Sequence, residues 1–203
     1  MPTFRSLLRK IERLAGLTAI KFAPLVRPGF ATTVAVRVYG RWGMTFVGRP
    51  NYLSARINFD GTDYGLIEIH EGVTISSFVR VLTHDWSLYT VAKSVGHFSD
   101  KPIGKIQGVS IGPYSFVGTG SIIMPGTRIG RGCLIGAGTV VRGAVPDYAI
   151  VVGSPGRIVG DTRSFVAGQM RRLGLALPED LAAQAAQADA GPDGTAADTE
   201  ERP

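Results

Sequence analysis

The stretch that decides the fold is IGPYSF-VGTGSI-IMPGTR-IGRGCL-IGAGTV-VRGAVP, which covers residues 111–146 and divides into units of six. The first position of each unit is aliphatic, and it is occupied by Ile111, Val117, Ile123, Ile129, Ile135 and Val141. The fifth position is small or β-branched in every unit, and Gly takes the second position in four of the six. An unbroken period of six fits neither an α-helix nor a simple alternating strand. It predicts a parallel β-helix, in which each unit contributes a short strand and stacks its aliphatic side chain on the next coil.

The same spacing continues upstream, with two interruptions. Its inward positions on either side of a phase slip at 61–65 are Val47, Leu53, Phe59, Ile69, Ile75 and Val81. The gap from Val81 to Ile111 is a multiple of six, but the segment inside it is polar and contains Gly and Pro. We therefore predict a β-helix over 45–160 with a loop at about 86–104 that leaves the coil. Long loops in compact domains are often functional.

The two ends of the chain have different patterns. Residues 3–20 place apolar side chains at helical spacing with Arg and Lys between them, which predicts an amphipathic helix. Such a helix lies on a membrane surface, or packs against the β-helix or a neighbouring subunit, and the sequence leaves these alternatives open. The runs TTVAVRVYG and GMTFVG predict strands, so 1–44 is expected to hold an N-terminal helix and leading strands. Two helices are predicted over 161–187, and a disordered tail over 188–203.

Composition narrows the class of protein. A length of 203 residues fits one domain with short extensions, and 27 Gly residues suit a turn-rich β-helix. The net charge of +6 favours anionic partners, and no nucleic-acid motif is present. A single Cys suits the cytoplasm, there is no apolar run of 18 residues, and the N-terminus does not read as a secretory signal. We expect a cytoplasmic protein, at the inner face of the membrane if the first helix binds lipid.

The repeat, together with LTHDWSL at 82–88, MPGTRIG at 124–130 and IGAGTVVRGAVPDYAIVVGSPGRIV at 135–159, resembles the hexapeptide-repeat acyltransferases. The likeness is strongest to the maltose, galactoside and polysaccharide O-acetyltransferases. It implies an all-β fold, namely a left-handed parallel β-helix with short N- and C-terminal helices. The left hand follows from the resemblance alone, since the usual crossover rule favours the opposite hand.

Transfer of an acyl group from a thioester to a hydroxyl needs a base, and neutral imidazole suits that role. His84 lies at the end of a regular coil, in THDWS, and the resemblance assigns it the catalytic role. Asp85 and Trp86 are candidates for catalysis or acceptor binding. Neighbours in an extended chain point to opposite faces, so Asp85 is poorly placed to orient the ring of His84. His97, in the loop, is the next candidate base.

The resemblance also implies a site for acetyl-CoA in the groove between neighbouring β-helices. It assigns contacts with the pantetheine arm and the phosphates to Phe116, Gly118, Thr119, Gly136, Ala137, Arg142 and Arg157. Charge-assisted contacts from Arg suit phosphate groups. Arg142 stands one residue away from the Lys that the family has after this repeat, so its assignment departs from the family pattern.

No metal site is expected. The zinc-binding γ-class carbonic anhydrases share this β-helix, but they have a close pair of His residues, whereas the three His here are 14 and 13 residues apart. Cys133 falls in an inward position of the repeat and is interpreted as a small core residue.

The function expected from these features is an acetyl-CoA-dependent O-acyltransferase that acts on a sugar hydroxyl of a polysaccharide or glycan precursor. The resemblance further implies a homotrimer with active sites between subunits. Two alternatives stay open: a sugar N-acetyltransferase, because the same site can acylate an amine, and a non-catalytic β-helix scaffold.

Overall fold

The structure is a computed structural model that describes residues 4–26, 29–61 and 63–189. The helices are α1 Phe4–Phe22, α2 Phe30–Arg41, α3 Ser87–Ala92, α4 Thr162–Arg172 and α5 Glu179–Asp189. The strands before the predicted loop are β1 Thr45–Val47, β2 Tyr52–Leu53, β3 Asn58–Phe59, β4 Ile67–His70, β5 Thr74–Ile75, β6 Arg80–Val81 and β7 His84–Asp85. Those after it are β8 Lys105–Ile106, β9 Val109–Ile111, β10 Phe116–Val117, β11 Ile122–Ile123, β12 Arg128–Ile129, β13 Leu134–Ile135, β14 Val140–Val141, β15 Ala144–Val145, β16 Ala149–Val152 and β17 Arg157–Asp161.

The strands form three parallel sheets, which are the sides of a triangular β-helix. Sheet A has the order β1-β4-β9-β12-β15, sheet B has β2-β5-β10-β13-β16, and sheet C has β3-β6-β11-β14. Consecutive strands pass from A to B to C, so each coil has a B/C corner and a C/A corner. The register pairs equivalent repeat positions in successive coils, for example Val117 with Ile135 and Ile123 with Val141. This architecture confirms the parallel β-helix predicted from the period of six.

The interior of the coil is a stack of aliphatic side chains. The first-position residues of the repeat are at most 3% exposed: Ile111, Val117, Ile123, Ile129, Ile135 and Val141. Burial of one such side chain contributes roughly 1.5–3 kcal/mol. Cys133, at 2% exposure, lies in the same core, as expected of a small inward residue.

The prediction of leading strands before residue 44 was wrong, because residues 30–41 form α2. Ala31, Ala35 and Tyr39 are spaced by four residues and are all buried, so they make one helical face. Tyr39 packs edge-on against Phe59, with ring centroids 4.9 Å apart, so α2 covers the open end of the first coil. The run of β-branched residues favours strand locally, but the need to close this end of the core overrides that preference.

The class "all-β" also needs correction, since helices flank both ends of the coil and a further one lies in the predicted loop. That loop is not structureless: α3 is followed by a 3₁₀ turn at Lys93–Val95, and β7 pairs antiparallel with β8 at its base. Strand β17 folds back antiparallel onto β16, and Asp161 caps α4 by accepting a hydrogen bond from the Arg163 amide. Of the tail predicted at 188–203, residues 188 and 189 end α5 and the rest lies outside the described residues.

Among the helices that the structure describes, none combines the length and the apolar character needed to cross a bilayer.

Candidate active site

His84 lies at the C/A corner of the second coil, where the chain leaves sheet C to enter the insertion. Its side chain is 28% exposed, so the imidazole is partly sheltered and remains open to solvent on one side. Strand β7 positions it through antiparallel pairing with β8, where His84 stands opposite Ile106. The backbone of His84 is therefore fixed by the base of the insertion, and the rest of the insertion lies beside it.

The ring of His84 is held by Asp60, which lies at the same corner one coil earlier. The Nδ1 atom of His84 is 3.0 Å from Asp60 Oδ2, and the Asp60 side chain is only 6% exposed. Asp60 also accepts hydrogen bonds from the Thr83 amide at 2.5 Å and from the Thr83 hydroxyl at 2.9 and 2.7 Å. These donors hold a buried carboxylate that would otherwise be costly. An acceptor at Nδ1 favours the tautomer with its proton there, which leaves the lone pair on Nε2, as a general base needs.

The Asp85 side chain makes a local contact with the start of α3. Its Oδ1 accepts a hydrogen bond from the Ser87 amide at 2.9 Å, which begins α3. Hydrogen bonds from Ser87 lower the pKa of the Asp85 carboxyl, and the charges of Arg142 and Lys105 lower it further. Asp85 thus accepts a hydrogen bond from the first amide of α3, whose N-cap position is Trp86, while the contact that orients His84 comes from Asp60.

Trp86 lies beside the catalytic candidate. The Trp86 and His84 rings have centroids 5.7 Å apart at an interplanar angle of 36°. Gly104, at the other end of the insertion, approaches so closely that an added Cβ would be 2.6 Å from Trp86 Cε3. Trp86 therefore packs at the base of the insertion and forms one wall next to the imidazole. His97 is exposed further along the insertion, and His70 is 2.5 Å from Glu68 on sheet A.

Four of the seven predicted donor residues lie at the other corner. Gly118 and Thr119 occupy the B/C corner of the third coil, and Gly136 and Ala137 occupy that of the fourth. Gly118 is required by close approach, because a Cβ there would lie 2.6 Å from the Ala137 amide nitrogen. The Gly138 amide donates to the Thr119 carbonyl at 2.8 Å, which ties the two corners together. The result is an edge of small residues on which Thr119 and Ala137 are exposed. An extended, amide-bearing arm can approach the backbone along such an edge.

The two arginines are separated. Arg157 begins β17, directly after Gly156, whose amide donates to the Val140 carbonyl at 2.9 Å and so continues the B/C edge by one coil. Arg142 lies at the C/A corner instead, directly after β14, and its charge acts on Asp85. The structure thus places Arg157 with the small-residue edge and Arg142 on the side of His84.

Phe116 belongs to neither corner. It stands in the middle of sheet B, 44% exposed, opposite Leu134 in the next coil. With Leu134, Tyr148 and Phe165 it lines a cavity of about 330 Å³ between sheet B and the C-terminal helices. Phe116 could contact a ligand on the B/C edge only near the end of β10, where the chain reaches Gly118 two residues later.

No cluster of three or more His, Cys, Asp or Glu residues in the described part of the chain has an arrangement that could hold a metal ion. Burial raises the pKa of the Cys133 thiol above its usual value, which keeps the thiol protonated in the core.

Asp60 is the functional candidate that the sequence alone did not reveal. It follows Phe59, which pairs with Val81 in the next coil, so Asp60 comes beside Thr83 and His84. Asp60 could have been identified from the stacking of equivalent corners in successive coils. The phase slip at 61–65 obscures this stacking in the sequence, because it adds residues to this one coil.

Two features define the class of protein. The coil is a β-helix of six-residue repeats, and a histidine lies where an insertion leaves it. The protein-family model described as "Bacterial transferase hexapeptide (six repeats)" matches residues 108–143. A Schizosaccharomyces pombe protein named as an acetyltransferase is 30% identical over 72% of this chain and 67% of its own length. The chain belongs to the hexapeptide-repeat transferase family.

Other relatives share less of their length. A Mycobacterium tuberculosis protein named as a probable acetyltransferase is 32% identical over 64% of this chain, which spans only 40% of that relative. Among solved structures, a galactoside acetyltransferase in complex with coenzyme A is 18% identical, with a TM-score of 0.49 over 75% of this chain and 81% of that one. A maltose O-acetyltransferase from Clostridium difficile is 19% identical, with a TM-score of 0.46 over 73% of this chain and 87% of that one.

Proposed function

We propose that this protein is an acetyltransferase that uses acetyl-CoA to acylate a sugar hydroxyl, with His84 as the general base. The observation that carries the proposal is the hydrogen-bonded pair of Asp60 and His84 at the point where the insertion leaves the coil. Family membership and the acetyltransferase names of its relatives support the reaction class. The sugar acceptor and the left hand of the coil rest on the family resemblance.

The residues of the B/C edge fit coenzyme A. Thr119 and Ala137 present exposed backbone without large side chains, and Arg157 supplies a cation at the end of the edge, where a phosphate could be neutralised. Acetyl-CoA, when bound, supplies the activated acyl group. The protein's own contribution is to hold both substrates and to move one proton.

His84 transfers the proton. Its Nε2 accepts the proton of the acceptor hydroxyl as that oxygen attacks the acyl carbon, and later returns it to the departing thiolate. Asp60 holds Nδ1–H throughout and stabilises the imidazolium that forms between these two steps. Asp60 is therefore a positioning residue, and Trp86 forms the wall beside the ring.

A homotrimer is part of the proposal, because one chain presents its base and its donor edge at different corners. His84 faces outward at the C/A corner, whereas Gly118, Thr119, Gly136 and Ala137 line the B/C corner. Closed three-fold symmetry would bring the C/A corner of one subunit to the B/C corner of the next and form three identical sites.

Thioester consumption with a panel of hydroxyl- and amino-sugars tests the function. His84→Ala is expected to lower turnover by roughly 10²–10⁴-fold, the usual contribution of a general base, while coenzyme A affinity stays unchanged. His97→Ala is the matched control and should retain full turnover. The proposal fails if His84→Ala remains active, or if His97→Ala is the variant that loses turnover. Amino-sugars as the preferred acceptors would replace O-acylation with N-acylation.

A further inference from the structure

Helix α1 is attached to the body of the protein by its less apolar side. An added Cβ at Gly16 would lie 2.7 Å from Trp42 Cζ2, so the helix backbone rests on that ring. Ile20, one turn later, is 3% exposed. Glu12 makes an ion pair with Arg41 on α2 at 2.7 Å, and the Arg13 guanidinium lies 5.9 Å from the centre of the Tyr64 ring. The helix is therefore a docked element of the fold with one defined inner face.

The opposite side of α1 is an apolar stripe. Nine residues separate Leu7 from Gly16, and at 100° per residue this places the two on opposite sides of the helix. The large apolar residues on or beside the stripe are 44–68% exposed, and we call this set the α1 stripe: Leu7, Leu8, Ile11, Leu14, Leu17 and Phe22. Leu25 and Val26, at 81% and 72% exposed, extend it beyond the helix. From Leu7 to Phe22 the stripe runs about 22 Å.

Positive charge is concentrated in the N-terminal part of the sequence that contains the stripe. Residues 1–59 contain ten Lys or Arg and one acidic residue, Glu12, whereas the rest of the chain has more acidic than basic residues. Lys10 and Lys21 are both exposed and lie eleven residues apart, which is close to three turns, so they share one edge of the stripe. Long Lys side chains can lay their methylene stems along apolar surface while the ammonium group reaches an anionic layer.

We propose that α1 binds an anionic lipid surface, lying in the plane of the headgroups with the α1 stripe inserted among the acyl chains. An exposed apolar face with Lys at its edge is the pattern of interfacial helices. A second copy is a poorer occupant. A stripe-to-stripe contact would bring two strongly basic N-terminal regions together, and the three-fold contact proposed above joins the C/A and B/C corners instead of the stripe. The positive charge instead complements phosphate headgroups, which attract basic residues near a membrane surface.

Flotation of the full-length protein with vesicles tests this surface. One vesicle set contains phosphatidylcholine alone, and the other contains phosphatidylcholine with phosphatidylglycerol. We expect binding to the anionic set only, and weaker binding as salt rises. Leu14→Glu should lower the vesicle partition coefficient by about tenfold or more, since it removes one inserted side chain and adds a negative charge.

Leu173→Glu is the matched control, because Leu173 is 71% exposed and Leu14 is 68% exposed, but Leu173 lies at the end of α4. It should float as the wild type does. Lys10→Gln combined with Lys21→Gln should lower binding about fivefold per residue, and Lys101→Gln should not. His84→Ala should also float normally, which separates this proposal from the catalytic one.

The proposal is overturned if the wild type does not float with anionic vesicles, or if Leu14→Glu floats as well as the wild type. A Leu14→Glu protein that loses its oligomeric state by light scattering, with no vesicle binding by the wild type, would assign the stripe to a contact between copies and overturn it as well.

Discussion

The two corners that flank sheet C carry opposite kinds of residue. The C/A corner presents Asp60 and His84, whose side chains are fixed by hydrogen bonds across two coils. The B/C corner presents Gly118, Gly136 and their small neighbours, where close contact between coils excludes larger side chains. One corner offers a group that can move a proton, and the other offers backbone to an extended ligand. On the proposed function, a single coil architecture supplies both parts of the site, but not in one place on one chain.

The largest effect is expected from a substitution that unfolds the coil and so removes both corners together. Ile135 is fully buried between Val117 and Val151 in sheet B, so Ile135→Asp would place a charge among aliphatic side chains. We expect loss of the folded state, measured by far-UV circular dichroism and thermal melting. Ile158→Asp, at a site that is 57% exposed, is the control and should fold. A stable Ile135→Asp protein with an unchanged spectrum would contradict the six-residue register.

Mixed oligomers test the separation of the corners directly. His84→Ala removes the base, and Thr119→Arg places a bulky side chain on the exposed donor edge, so each variant alone should lose most of its turnover. If a site combines corners of two subunits, co-assembled variants should recover activity to roughly 10²-fold above either parent. The measurement is thioester consumption by hetero-oligomers isolated with two affinity tags. Lack of recovery in proven mixed oligomers would place both corners of a site within one chain.

A smaller effect is expected when only the orientation of the base is disturbed. Asp60→Asn keeps the size of the side chain but removes the negative charge next to Nδ1 of His84. We expect turnover to fall by about 10–100-fold, with coenzyme A affinity and thermal stability little changed, because the charge acts on the imidazolium.

Asp60→Glu serves as a partial rescue, since it restores the charge at a shifted position. Equal losses of stability and turnover in Asp60→Asn would show a structural role instead of a positioning one.

The smallest effect is expected at the far end of sheet B, where Asp161 stands opposite Ala149 and links β17 to α4. Its carboxylate pairs with the Arg163 guanidinium at 2.6 Å, and this hydrogen bond lowers the pKa of the Asp161 carboxyl in the folded state. A lowered folded-state pKa stabilises the protein above the unfolded value, and this contribution disappears as pH falls through the folded pKa. Asp161→Asn should therefore lower Tm by about 1–3 °C at neutral pH, and the difference should shrink as pH falls below the usual range of an Asp carboxyl. A Tm difference that is independent of pH would exclude the charge as its cause.

The repeat could be predicted from sequence because each unit buries one side chain at a fixed spacing, so Ile111 to Val141 carry the register without help from distant residues. Helix α2 could not, since its Val and Thr residues favour strand locally. Its helical form depends on Tyr39 covering the first coil.

The candidate site also has one residue that the sequence predicts and one that it does not. His84 is marked by its place at the end of a coil and by the motif around it, whereas Asp60 is 24 residues earlier and reaches the ring only through coil stacking. The phase slip at 61–65 lengthens that coil, because Phe59 pairs with Val81, whereas a regular coil pairs residues such as Val117 and Ile135. A coil of constant length therefore does not bring Asp60 beside His84.

Contacts between corners therefore required the structure, whereas the inward positions from Leu53 onward did not. Val47 is the exception: it is 46% exposed, because Phe46 and not Val47 pairs with Ile69.

The antiparallel pairing of β7 with β8 makes the insertion a removable module. The chain leaves the coil at His84 and returns at Ile106, directly opposite, and the Gln107 amide then donates to the Thr83 carbonyl at 2.9 Å. Coil stacking continues from β6 to β11 as though the intervening residues were absent. Segments of different length and composition can consequently be exchanged at this point in evolution or in the laboratory. On the proposed function, acceptor preference can diverge there while His84 and the coil beneath it stay unchanged.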